Sequence, residues 1–200
     1  MRAILAIATI ISALFFGSDA ALAQGKKLAI LMPGAGGAHP IDFMVRNESR
    51  IRAAGIETVV TTSPSQAASL AKAELAKGRK VVIAGMSRGA RDVAQALASG
   101  VRPSGVIFVS GALENAMSIL GSPAALPATL VIHHRRDECV RTSPASAQSF
   151  VAWARGKASL RWIDTKGAPA PNPCGPRGAH GYFLQDGPAV SAMIGFIRAR

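Results

Sequence analysis

The sequence predicts an α/β fold, a single-domain three-layer sandwich with a mainly parallel sheet of about six strands. Three observations predict it. Short apolar runs recur at regular intervals from Lys27, and each run is continuous rather than alternating, as in strands covered on both faces. Longer Ala-rich amphipathic stretches separate them, the order that gives right-handed crossovers between parallel neighbours. The chain has 200 residues, 49% hydrophobic and 17% charged, which suits one domain with a buried core and excludes a disordered polymer.

The strand candidates are Leu28–Met32, Glu57–Thr61, Lys80–Ala84, Gly105–Val109, Thr129–His133 and Leu160–Ile163. Helices between them have readable ends. Ser63-Pro64-Ser65-Gln66 combines an N-cap, a proline at the first helical position and a capping-box glutamine, and Gly78 closes that helix. Ser143-Pro144 opens another, with Ala147, Phe150, Val151 and Ala154 on its apolar face and Gly156 at its end. After Gly187-Pro188, the spacing of Val190, Met193, Ile194 and Ile197 predicts the last helix. Residues 166–181 break the rhythm, because four prolines and four glycines forbid helix or inner strand there. That loop leaves the carboxyl end of the last strand, where open parallel sheets bind ligands.

Residues 1–23 read as a secretory signal peptide. Arg2 precedes an apolar run over 3–16, too short to span a bilayer, and Ala21-Leu22-Ala23 supplies a small-x-small cleavage site. The expected product is a domain over 24–200, exported to a periplasm or the extracellular space, with no transmembrane segment. In such a compartment Cys139 and Cys174 are expected to form one disulfide. Neither a CxxC pair nor a Cys/His cluster occurs at metal spacing, so no metal is expected. The net charge is +12, but the cations are scattered and few aromatics interleave with them, so no nucleic-acid partner is indicated.

Gly85-Met86-Ser87-Arg88-Gly89 follows one strand candidate and opens a helical stretch, which places Ser87 on a strand-to-helix turn. A tight, strained turn needs glycine where side chains would collide, and it holds the hydroxyl clear of the backbone. A serine hydroxyl is a weak nucleophile without a base. Of the four histidines, His180 is the choice: it sits in the Pro/Gly-rich loop and follows both the serine and an acid. His39, His133 and His134 read as packed or hydrogen-bonded side chains. Asp137, after the strand ending at His133, is the favoured orienting acid, with Glu138, Glu114 and Asp164 as rivals. A Cys139–Cys174 bond would tie the acid loop to the histidine loop. The amides of Arg88 and of Ala35 or Gly36 are candidate oxyanion donors. The Pro33-Gly34-Ala35-Gly36-Gly37 stretch lacks dinucleotide spacing and a P-loop lysine, so no nucleotide cofactor is expected, nor any other.

With PGAGG after the first strand, GMSRG at the turn, HHRRDEC at the acid and GAHGYF at the histidine, the chain resembles the α/β-hydrolase superfamily. More narrowly it is similar to small exported members that pair a cysteine just after the acid with one shortly before the histidine. The resemblance implies a minimal form of that fold lacking the usual first strands. It also implies Ser87 as nucleophile, His180 as general base and then acid, and Asp137 as orienting group. The expected function is an exported serine hydrolase acting on carboxylic esters or related acyl bonds, with a small-molecule or acyl substrate. The alternatives are a non-catalytic hydrolase-fold binding protein and an acyltransferase using the same triad. Superfamily members often carry a lid after the strand matching Gly105–Val109. Here residues 110–128 leave little chain for one, so an open site is expected.

Overall fold

The computed structural model describes residues 27–166 and 170–200; the expected leader lies outside them. Six strands form one sheet: β1 (Leu28–Met32), β2 (Glu57–Val60), β3 (Val81–Met86), β4 (Gly105–Val109), β5 (Thr129–His134) and β6 (Ala158–Ile163). Their order is β2-β1-β3-β4-β5-β6, and every pairing is parallel. The chain builds from β1 to one edge at β2, then returns past β1 and grows the other way. That reversal opens a crevice at the carboxyl ends of β1 and β3, the usual place for a ligand in such sheets.

Helices α1 (Phe43–Arg46), α2 (Glu48–Ala53), α3 (Pro64–Ala76), α4 (Arg88–Ala98), α5 (Leu113–Leu120) and α6 (Pro144–Trp153) lie in the crossovers, and α7 (Gly187–Arg198) follows the last strand. Two cores result, one on each face of the sheet. Ile30, Ile83, Phe108 and Val131 point to the side covered by α3, α4, α5 and α6, where Phe150 meets Phe108 edge-on at 5.3 Å. Leu31, Ala84, Ile107 and Ile132 point to the other side, against Phe43, Ile51, Met193 and Ile197 of α1, α2 and α7. Each fully buried Ile, Leu or Phe contributes about 1.5–3 kcal/mol relative to exposure. Inner strands β1, β3, β4 and β5 are buried at every position, which explains their continuous apolar runs.

Several local expectations needed correction: β2 ends at Val60 rather than Thr61, β3 begins at Val81 rather than Lys80, and β5 runs to His134 rather than His133. β3 runs to Met86 rather than Ala84, because Gly85 and Met86 still pair with Met32 on one side and Phe108 and Val109 on the other. β6 begins at Ala158 and is not continuous in pattern: as an edge strand it alternates between exposed and half-buried residues before Ile163. Ser63 caps α3 by accepting from the Gln66 amide, but the expected capping box is incomplete. Gln66 Oε1 instead accepts from Thr61 Oγ1, and the Ser63 amide donates to that same hydroxyl. Ser143 caps α6 as expected, accepting from the Ser146 amide.

Candidate active site

Ser87 stands between β3 and α4 with φ 53° and ψ −115°, a backbone conformation that costs of order 1–3 kcal/mol for a non-glycine residue. Its neighbours hold it there. The Ser87 amide donates to Val109 O at 2.9 Å, and its carbonyl accepts from the Ala90 and Ala112 amides. The two flanking glycines are sterically required. A Cβ on Gly85 would lie 2.3 Å from Gly89 O, and one on Gly89 would lie 2.2 Å from Met32 O. The turn therefore closes so tightly that only hydrogen fits at either place.

Asp137 follows β5 and is buried, with its carboxylate fully engaged. Oδ1 accepts from the Cys139 amide at 3.0 Å; Oδ2 lies 3.0 Å from His180 Nδ1 and accepts from Thr142 Oγ1 at 3.2 Å. Burial pushes this carboxyl up, but His133, His180 and the Cys139 amide outweigh that and hold it well below the usual carboxylate range. The rival acids stand elsewhere. Glu138 and Glu114 are exposed, and Asp164 pairs with Arg136 at 3.4 Å. Neither arginine beside Asp137 pairs with it, since Arg135 stacks on the Trp162 ring at 4.9 Å.

His180 is 2% exposed, and three attachments fix its loop. Cys174 is disulfide-bonded to Cys139, with Cα atoms 4.6 Å apart. The Arg46 guanidinium donates to Gly181 O and pairs with Asp186 at 2.5 Å. Tyr182 is buried with its hydroxyl donating to Ile132 O and accepting from Ser110 Oγ; burial pushes that phenol up, so it stays a neutral donor. The remaining histidines behave differently from His180. His134 has both ring nitrogens engaged, Nε2 with Thr165 Oγ1 and Nδ1 accepting from the Arg136 amide, and burial pushes its pKa down. His39 is exposed, with Nδ1 accepting from the Ile41 amide at 3.3 Å.

Ser87 and His180 line one cavity of about 240 Å³. Its walls come from the β1–α1 loop, including Ala35, Gly36, His39 and Phe43, and from Cys174 and Pro176. No lining residue belongs to α5, and Ser87 is half-buried, so the 113–120 segment does not cover the serine. The β1–α1 loop is pinned beside it: a Cβ on Gly34 would sit 3.5 Å from the Ser87 Cβ. Asp42 does the pinning. Its Oδ2 accepts from the Gly34 amide and its Oδ1 from the Met44 amide, which also caps α1. Burial raises the Asp42 carboxyl, against the pull of those two amides and of Arg46. With the Gly34 amide taken, Ala35 and Gly36 are the loop's remaining candidates for an oxyanion donor. The Arg88 side chain turns back along α4 toward Asp92, 3.6 Å away, leaving its amide at the helix start beside Ser87.

The fold at large has close parallels. A monoacylglycerol lipase from Paleococcus ferrophilus aligns over 86% of this chain and 94% of its own, with a TM-score of 0.62 at 10% identity. An esterase from Pyrococcus furiosus aligns over 88% of this chain and 83% of its own, also at 0.62, with 12% identity. The chain has the α/β-hydrolase fold. A hydrolase from Thermoplasma acidophilum, described as CIB-like, gives 0.57 at 16% identity over 88% of both chains. No protein-family model matches the sequence, and no curated protein matches it. What these likenesses establish is architecture. Within this α/β-hydrolase fold, sequence reasoning passed over Asp42, Arg46 and Thr142. Asp42 had a signal, since an aspartate directly before Phe43-Met44-Val45 reads as a helix cap.

Proposed function

We propose that this protein is an exported serine hydrolase that cleaves carboxylic esters or related acyl bonds through an acyl-enzyme. The observation that carries this reading is the 3.0 Å contact between Asp137 and His180, with His180 and Ser87 on the wall of one cavity. In this reading Asp137 accepts the Nδ1–H of His180 and keeps Nε2 free as the base. Ser87 Oγ attacks the substrate carbonyl as its proton passes to Nε2. The carbonyl oxygen gains negative charge and is met by the Arg88 amide and by that of Ala35 or Gly36. The tetrahedral adduct then collapses, His180 returns the proton to the leaving alkoxide, and water repeats the sequence to release the acid.

The half-exposed serine and the absence of α5 from the cavity wall favour substrates that extend beyond the acyl pocket. Export rests on residues 1–23 and agrees with the disulfide. A fluorophosphonate probe tests the mechanism. Labelling of the folded, oxidised protein that disappears in Ser87→Ala is expected. Absence of labelling would favour a binding protein, and labelling with product formed only on an added alcohol would favour acyl transfer.

A further inference from the structure

His133 is a buried imidazole near the end of β5. It ends the run Thr129-Leu130-Val131-Ile132, its side chain is 0% exposed, and Trp162 of β6 meets the ring edge-on at 6.0 Å. Neither ring nitrogen has a well-formed hydrogen bond. A buried polar group without a partner costs stability, and a phenylalanine in the same place would carry no such cost. A carboxylate oxygen faces it. His133 Nε2 lies 3.3 Å from Asp137 Oδ2, out of line for a full hydrogen bond but close enough for charge and dipole to act.

That separation decides the tautomer. A bare nitrogen lone pair aimed at a carboxylate oxygen 3.3 Å away is repelled, whereas an N–H there is attracted. Asp137 Oδ2 already meets His180 Nδ1 and Thr142 Oγ1, both from loops. His133 is the neighbour that stands on the sheet itself.

We propose that His133 is a positioning residue for the reaction: it holds its proton at Nε2, aimed at Asp137 Oδ2, and so anchors to β5 the carboxylate that orients His180. The inference rests on the Ser87–His180–Asp137 reading and extends it. Among the described residues, the titratable group facing His133 is Asp137 and, beyond it on the same oxygen, His180; on the β6 side the Trp162 ring meets it edge-on, and the Arg135 guanidinium stacks on that indole at 4.9 Å. The His133 N–H dipole offsets part of the carboxylate's charge as His180 feels it. Removing that dipole therefore favours protonated His180 and moves the acid limb of the rate profile to higher pH.

The test is hydrolysis of p-nitrophenyl butanoate by the oxidised full domain. For His133→Phe, kcat is expected to fall by about 5- to 50-fold with KM nearly unchanged, since His133 does not line the cavity, and the acid limb moves up. His133→Gln, which keeps a donor, recovers a large part of that loss. A Phe variant with wild-type kcat and an unmoved limb overturns the proposal. Should the Phe variant not fold, the wild-type protein answers: long-range proton–nitrogen correlation showing the His133 proton at Nε2 supports the assignment, and a proton at Nδ1 overturns it. Full turnover in Ser87→Ala would instead sink the triad reading, so the two failures are separable.

Discussion

His180 Nδ1 and Asp137 Oδ2 lie 3.0 Å apart although 43 residues separate them in the chain. Both belong to irregular segments, which by themselves hold a side chain poorly. Thr142 bridges the pair, with its hydroxyl 3.2 Å from Asp137 Oδ2 and 3.1 Å from His180 Nδ1. Three side chains thus meet in mutual contact, two of them from the loop between β5 and α6.

Replacing the carboxylate with an amide leaves the shape and removes the charge that favours imidazolium. Asp137→Asn is expected to lower turnover of p-nitrophenyl esters by roughly a hundredfold or more. Glu138→Gln, on an exposed side chain, leaves it near wild type. Equal losses would mean that another acid orients His180.

Asp137 also ties stability to pH. Folding depresses its pKa, so it contributes stability that is present above its unfolded value, about 4, and is lost as pH falls through the folded value. The melting temperature of the wild-type protein should drop steeply below about pH 4. In Asp137→Asn that slope should be shallower. Identical slopes in the two proteins would show that the Asp137 contacts carry no net free energy of folding.

The Cys139–Cys174 bond closes a sequence separation of 35 residues, which the chain-entropy model values at ~3–4 kcal/mol. Its placement matters as much, because Cys139 follows the acid by two residues while Cys174 forms part of the cavity wall. Reduction, or Cys139→Ser with Cys174→Ser, is expected to lower the melting temperature and to slow ester hydrolysis at temperatures where the domain is still folded. Unchanged rates in a dithiol reductant would confine the bond to stability.

Much of this architecture was legible because it is written locally. Continuous apolar runs marked the inner strands, and serine-proline pairs marked the starts of α3 and α6. The elbow was legible for the same reason, as a glycine-flanked serine between strand and helix. Where tertiary pairing decides, local signals fall short: the apolar run predicts a strand ending at Ala84, yet partners on both sides of Gly85 extend β3 to Met86. Arg46 was illegible for a related reason. It reaches Gly181 O and Asp186, 135 and 140 residues away, and no local pattern distinguishes it from the other scattered arginines. His133 reads in the sequence as a packed or hydrogen-bonded side chain; its nearness to Asp137 emerges only from the turn after β5.

The strain at Ser87 gives a last, independent test. Its φ of 53° with ψ of −115° lies outside the left-handed helical region that side chains occasionally adopt, and hydrogen bonds on both its amide and its carbonyl prevent relaxation. Ser87→Ala keeps the Cβ and so keeps the strain. Ser87→Gly removes it, at the entropic cost of a freer unfolded chain. The glycine variant should therefore be more stable than the alanine variant by about 1–2 kcal/mol, while both lack turnover. Denaturant midpoints of the two proteins, taken with unchanged slopes, measure the difference. A glycine variant no more stable than the alanine one would mean that the elbow stores no strain.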